Sequence, residues 1–372
     1  MTAPALVLWE EDREATPVPE TAPDPVRTEK VDERSSEQPV LAESARPPVR
    51  TESPAIEVEP IVVSPTERAI AVLQSAAESE WPLLRANALE MLATRPDLLR
   101  PRTAEGLADD NRGVRFVAAM TCGEVRLESM DALLEPLLED PSDSVRAAAI
   151  YALSRCGESV SPAPLAEFVS SNDPEVRANA IVVLGLLGDP SARPLIRSML
   201  GRGMELVDPT RIRLVDLQGA AALVRLGDAQ EIEPIRAALF APSEQAELTG
   251  LAIQLISQLG DEGARQMLVR LVEAPSRESR PPEIRLAAAR AIAVLGAREP
   301  GPLLRLASEY IESPQAEIRA QVAALLGEVD DGTARGFLSD LMEDPNPVVR
   351  VAAAGSCLKL GADDRTAAAP VH

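Results

Sequence analysis

The sequence predicts an all-α protein, a stack of helix pairs behind a polar tail, and three features carry that prediction. Aromatic residues are only 2% of the 372, so the core must be built from small and medium aliphatic side chains, which suits closely spaced helices better than packed sheets. The body carries apolar stripes of 3.6-residue period between helix-starting and helix-stopping residues. One string, "DPEVRANAIVVLGLLGD" at 173–189, returns along the chain in altered form.

Residues 1–64 are rich in Pro, Glu, Thr and Ser and show no period of 3.6 or 2. Proline removes donors and scattered charges resist burial, so this acidic tail is expected to stay unfolded. Two apolar islands interrupt it, "PALVLWEE" around Trp9 and "IEVEPIVV" before Ser64. Either they are incidental or pack loosely on the body, or Trp9 anchors a short motif that docks on a partner protein.

From "SPTERAIAVLQSAAES" onward the pattern is helical. Alignment on a recurring Val-Arg pair places "LLRANALEML" at Arg85, "GVRFVAAMTCG" at Arg115, "SVRAAAIYALSRCG" at Arg146 and the opening string at Arg177. Further copies are "EIRLAAARAIAVLG" at Arg285, "EIRAQVAALLG" at Arg319 and "VVRVAAAGSCLKLG" at Arg350, with two weaker ones carrying Asp216 and Thr249 in the arginine's place. The anchors lie 30 to 39 residues apart, a period that marks helical arrays in which each unit stacks on its neighbours. Each unit holds two helices, the Val-Arg string being the second. Asp-Pro starts it, because Asp caps free N–H groups and Pro suits the first turn, and Gly-Asp stops it. Within "VRANAIVVLGLL", residues Val176, Ala180, Ile181, Leu184 and Leu187 share one broad face that must be buried.

These units resemble HEAT repeats, in the short form first noted in phycobilisome lyases, over residues 65–362. The resemblance implies a right-handed α-solenoid of about nine two-helix repeats, with 363–372 as a short C-terminal tail. That polar end, "DDRTAAAPVH", is placed either to cap the last repeat or to fray.

The seven ladder arginines, Arg85, Arg115, Arg146, Arg177, Arg285, Arg319 and Arg350, are each expected to pair with an Asp or a helix-end carbonyl of the same or the adjacent repeat. An anion-binding stripe is the functional alternative, and Asp216 and Thr249 interrupt it. Two insertions, "GRGMELVDPTRIR" after Leu200 and "EAPSRESRPPE" after Val272, lengthen links between first and second helices, and in a solenoid such loops project from one edge. Asn87, Asn179, Gln218 and Gln321 stand two positions after their anchors. They are expected on the inner face, as neutral amides that bond a partner's backbone or as solvated surface.

Catalytic constellations are mostly missing. The single histidine, His372, excludes a His-based metal site, the ligand set of HEAT-like hydroxylases, and Ser-His or Cys-His catalysis. Acid pairs such as Asp109 with Asp110, Glu139 with Asp140 and Asp330 with Asp331 sit at helix ends, where they cap or favour the macrodipole. "GRG" at Gly201 lacks the spacing and lysine of a phosphate loop. A net charge of -22 repels nucleic acid and anionic lipid. No apolar run reaches a membrane span, and Cys122, Cys156 and Cys357 show no metal-ligand spacing. The expectation is a non-enzymatic scaffold of the cytoplasm, binding a protein partner on its concave face or inserted loops, without cofactor or metal. A subunit of the phycobilin lyase or isomerase kind is the alternative that the resemblance implies.

Overall fold

A computed structural model describes residues 64–204, 207–273, 280–296 and 299–367. Trp9, the segment 1–63, residues 274–279 of the second insertion and the end 368–372 lie outside the described residues. Among these residues the chain is helical, without a strand, and its α-helices form nine pairs. The first three pairs are α1 (Pro65–Ala77) with α2 (Pro82–Met91), α3 (Pro96–Leu107) with α4 (Arg112–Val125), and α5 (Asp131–Leu134) with α6 (Asp143–Cys156). Next come α7 (Pro164–Phe168) with α8 (Pro174–Leu187), α9 (Arg193–Met199) with α10 (Pro209–Arg225), and α11 (Ile232–Ala238) with α12 (Ala246–Leu259). The last three are α13 (Arg265–Glu273) with α14 (Pro282–Val294), α15 (Pro300–Tyr310) with α16 (Ala316–Leu326), and α17 (Gly332–Leu341) with α18 (Pro347–Ala367).

Local chemistry sets the helix ends. Ser64 and Glu67 close a capping box on α1, Glu67 N donating to Ser64 Oγ at 3.2 Å and Ser64 N to Glu67 Oε2 at 2.8 Å, which satisfies two otherwise free donors. The side chains of Asn111, Asp173 and Asp208 cap α4, α8 and α10. At the far ends of α6, α8 and α12, Gly157, Gly188 and Gly260 take φ of 97°, 78° and 66°, a left-handed turn that stops a helix and costs glycine no Cβ clash.

The second helices build the solenoid's inner layer, each packed on the one before and the one after. The series does not end: α18 packs on both α1 and α2, so the inner helices form a closed ring. The terminal repeats therefore cover each other. Val351, Ala354 and Leu358 of α18 are buried in one continuous core with Leu73 of α1 and Leu89 of α2. On the outside of this seam Arg68 donates to Ser339 Oγ at 2.8 Å and pairs with Glu343 at 3.5 Å.

Closure changes what the inner helices bury. From the pattern alone α8 has one apolar face, yet Glu175 through Gly185 are buried without a break. Flanked by α6 and α10 and backed by α7, this helix is enclosed around its circumference. Alanine and glycine make the approach possible: a Cβ added at Gly185 would fall 2.8 Å from Ala222 Cα.

The seam is equally tight, a Cβ on Gly355 meeting Met91 Sδ at 2.2 Å and Met91 Cβ at 2.8 Å. Gly355→Val is expected to lower unfolding free energy by about 1 to 3 kcal/mol through overpacking. Urea unfolding checks the energy, and a larger radius of gyration in small-angle scattering would report the seam opening.

Candidate functional site

Arg115 shows how the recurring arginine is used. Its Nη1 donates to the carbonyls of Asp109 and Asp110 at 2.8 and 3.0 Å, just before its own helix. Its Nε and Nη2 donate to both carboxylate oxygens of Asp140 in the next repeat, at 2.8 and 3.0 Å. Asp140 Oδ1 also accepts from Ser142 N at 2.8 Å, and the Asp140 carbonyl takes Arg146 Nη1 at 3.3 Å. One aspartate thus joins two arginines, its carboxylate serving the repeat before and its carbonyl its own. Arg85 has the same partners in Ser79 O, Glu80 O and Asp109, and Arg319 in Ser313 O and Asp344. Such bidentate, charge-assisted pairs fix orientation as well as distance.

Where that aspartate is missing, the guanidinium finds other partners. Arg146 pairs with Asp143 and lies 5.0 Å from the ring centre of Phe168, within cation–π range. Arg177 donates to the carbonyls of Ser171 and Arg202 at 2.9 and 3.2 Å. Arg285 pairs with Glu309 at 3.0 Å, donates to Val272 O at 3.2 Å and stacks on Tyr310. Arg350 Nη1 donates to the carbonyls of Asp344 and Pro345 at 2.7 and 2.9 Å. In the arginine's place, Asp216 accepts from Gly201 N at 2.9 Å and the Thr249 hydroxyl donates to Ala238 O at 3.3 Å.

The four amides expected on the inner surface divide into two kinds. Asn87 and Gln321 are half-buried, whereas Asn179 and Gln218 are 2% and 1% exposed, so the latter two are not on a partner-facing surface. The ring's curvature brings consecutive inner helices together over them. Asn179 Nδ2 donates to Ser144 Oγ at 3.2 Å, Ser144 Oγ donates to Glu175 Oε1 at 3.4 Å, and Glu175 pairs with Arg112 at 3.2 Å. A buried polar knot therefore ties α4, α6 and α8 at their N-terminal ends.

The polar convergence that faces an open space lies at the opposite, C-terminal ends. A cavity of about 600 Å³ is lined by residues within or just past eight successive inner helices, α4 to α18, and so sits on the ring's axis. Its side chains include Glu124, Arg155, Arg225, Gln258, Glu328 and Lys359, each nine residues after its repeat's anchor. That common register is a signal the sequence held: a charged or amide residue recurs nine positions after the anchor, toward the end of the apolar stripe. Helix C-termini carry partial negative charge, which favours the cations Arg155 and Arg225 in the last turns of α6 and α10. Arg225 Nη2 donates to Gln258 Oε1 at 2.9 Å, and Glu328 pairs with both Arg290, at 3.1 Å, and Lys359. Two guanidinium nitrogens, Arg225 Nη1 and Arg155 Nε, are shielded from water with no hydrogen-bond partner among the described residues.

Two acids of the inner helices, Glu90 and Glu124, are held toward their neutral form. Burial and the charge of Glu124 push the Glu90 carboxyl up to about 7, against the pull of Arg290. Burial likewise raises Glu124, and raises the Tyr151 phenol against the nearby guanidinium of Arg155. Outside the cavity, Cys122 and Cys156 are brought side by side, a pairing that their sequence spacing does not announce. Burial pushes the Cys122 thiol up to about 12, so it stays protonated. Among the described residues no group of three or more His, Cys, Asp or Glu could hold a metal ion, and no helix is long and apolar enough to cross a membrane.

A family model of HEAT repeats matches residues 100–173 and 303–371. Over those two segments the chain is similar to HEAT repeats. The matched segments hold the repeats of Arg115, Arg146, Arg319 and Arg350. No curated protein matches this chain. Among solved structures, human deoxyhypusine hydroxylase in complex with glycerol is similar at 18% identity, over 73% of this chain and 98% of that one, with a TM-score of 0.36. A likeness of that order says nothing of activity.

Asp140 is 5% exposed and Arg115 15% along their side chains. Asp140→Ala, which strands a partly buried guanidinium, is expected to cost about 3 kcal/mol in a denaturant titration. For Glu90 the folded pKa lies above the ordinary 4.5, so its stabilising contribution is complete below that value and is lost as the pH rises through about 7. Glu90→Gln is therefore expected to raise Tm relative to the native chain by an increment that grows from about pH 5 to about pH 8. A constant increment across that range would contradict the assignment.

Proposed function

We propose that this protein is a non-enzymatic interaction scaffold of HEAT-like repeats that receives a loop of a partner protein in the axial cavity. The observation that carries this reading is the convergence of eight repeats on one space in which two desolvated guanidinium nitrogens lack acceptors. A shielded donor left unpaired costs about 1 to 3 kcal/mol, and a partner's carbonyl or carboxylate oxygens would recover it. About 600 Å³ admits the side chains of a loop tip. Asn87 and Gln321, half-buried on α2 and α16, and the segments inserted ahead of α10 and α14 are candidate additional contacts, as is Trp9. In this reading the protein works in the cytoplasm, its partner is a protein rather than nucleic acid, it needs neither metal nor cofactor, and its repeats are of the short, lyase-type form.

Affinity capture with the full chain and with the Arg155→Ala, Arg225→Ala double variant tests the assignment. A partner identified by mass spectrometry with the native bait should fall at least about tenfold with the variant, provided that circular dichroism shows both equally helical. Equal recovery would move recognition off the axis. A small molecule in the native mass spectrum that disappears with the variant would replace the scaffold reading with a ligand-binding one.

A further inference from the structure

At the seam of the ring the arginine–aspartate relay lacks its carboxylate. In the repeats of Arg85, Arg115 and Arg319, Nη1 is held by backbone carbonyls and the Nε/Nη2 edge grips the aspartate of the next repeat. Going round the ring, the repeat that follows Arg350 is the first one, because α18 packs on α1 and α2. The residue there in the aspartate's position is Ser79: its carbonyl receives Arg85 Nη1 at 2.8 Å, and its Oγ accepts from Trp81 N at 3.1 Å. Asp109 does the same two things for Arg115 and for Asn111 N. A serine side chain is too short and carries no charge to meet Arg350.

Arg350 is nevertheless set in the same pose as the other three. Its Nη1 bonds to Asp344 O and Pro345 O at 2.7 and 2.9 Å, and among the described residues its Nε and Nη2 bond to no acceptor. Both Ser79 and Arg350 line a cavity of about 740 Å³ whose walls also include Val72, Trp81, Leu84 and Val351. A preoriented guanidinium edge beside an aromatic and aliphatic wall is the arrangement that reads one carboxylate next to apolar side chains.

We propose that this seam cavity is a docking site for a partner peptide bearing an aspartate flanked by apolar residues, its carboxylate taking the place of the aspartate that Ser79 replaces. Charge complementarity selects that occupant over a polyanion. Glu78, itself paired with Arg102, and the exposed Glu80 stand at the rim, and the chain as a whole carries -22, so phosphate-rich ligands are repelled while a single carboxylate is held at short range. The site is separate from the axial cavity, and its behaviour does not depend on Arg155 or Arg225.

The test uses the full chain and a dye-labelled octapeptide, ALMADPNP, patterned on residues 340–347 with alanine at the places of Asp340 and Glu343, whose one aspartate, at the place of Asp344, fills the equivalent position against Arg319. Fluorescence anisotropy should show saturable binding with Kd below about 1 mM. Replacing that one peptide aspartate by asparagine, Arg350→Ala, or Ser79→Asp should each weaken binding at least about tenfold. Ser79→Asp supplies the missing carboxylate from within and should melt no lower than the native protein, so it decides the matter even where Arg350→Ala fails to fold. Equal binding to the native chain and the Ser79→Asp variant, or no saturable binding to the native chain, would overturn the proposal. Binding that appears only after Glu57→Gln and Glu59→Gln would overturn it in favour of the chain's own N-terminal segment as occupant.

Discussion

The close approach of backbones along the inner helices is the constraint on which the rest of this molecule depends. Helices bearing large side chains would splay, and the ninth would not return to the first. Here alanine and glycine occupy the contacts, with Gly123 against Tyr151, Gly185 against Ala222 and Gly355 against Met91, each too tight for an added methyl group. Protein interiors tolerate such contacts only when the partner surface is shaped to them. Closure follows, and with it burial of both ends of a repeat array, which in an open solenoid must be capped by polar surface.

The arginine–aspartate relay adds direction to this packing. Nonpolar stripes fix that one helix lies on the next but allow it to slide, whereas a bidentate guanidinium–carboxylate pair anchored at both ends to backbone carbonyls has one geometry. Asp109, Asp140 and Asp344 each engage an arginine of the preceding repeat. The relay lapses through the middle of the chain, where Asp216 and Thr249 replace the arginine, and that lobe around α10 to α14 forms its own apolar cluster. In a protein of net charge -22, arginines used in this way are already committed to structure, so those with a nitrogen that meets no acceptor among the described residues, Arg155 and Arg225 on the axis and Arg350 at the seam, stand apart.

On the axis, charge is concentrated by geometry rather than by composition. Helix C-termini converge there, cations answer their partial charge, and Glu90 and Glu124 are crowded together from α2 and α4. Raising the Glu90 carboxyl to about 7 makes that end of the ring sensitive to pH, and an acceptor brought by a partner would alter the same balance.

Much of this was legible in the chain itself. Asp173 with Pro174 at one end and Gly188 at the other define a helix by local capping and backbone chemistry, and the recurrence of such strings at 30 to 39 residues makes a stack of helix pairs. Side-chain partners were less so. Asn179, by its spacing an outward amide, is buried because α6 curves over it, and Glu124, Arg155, Arg225 and Lys359 meet only because their common register is wrapped around an axis. Sequence by itself determined the helices, their starts and stops and the repeating unit, since these rest on interactions within a few residues. Only the tertiary structure decided that the array closes, that Ser79 comes to face Arg350 from 271 positions away, and which polar groups are enclosed. Small rotations between neighbouring repeats sum over nine units, and no single repeat encodes that sum.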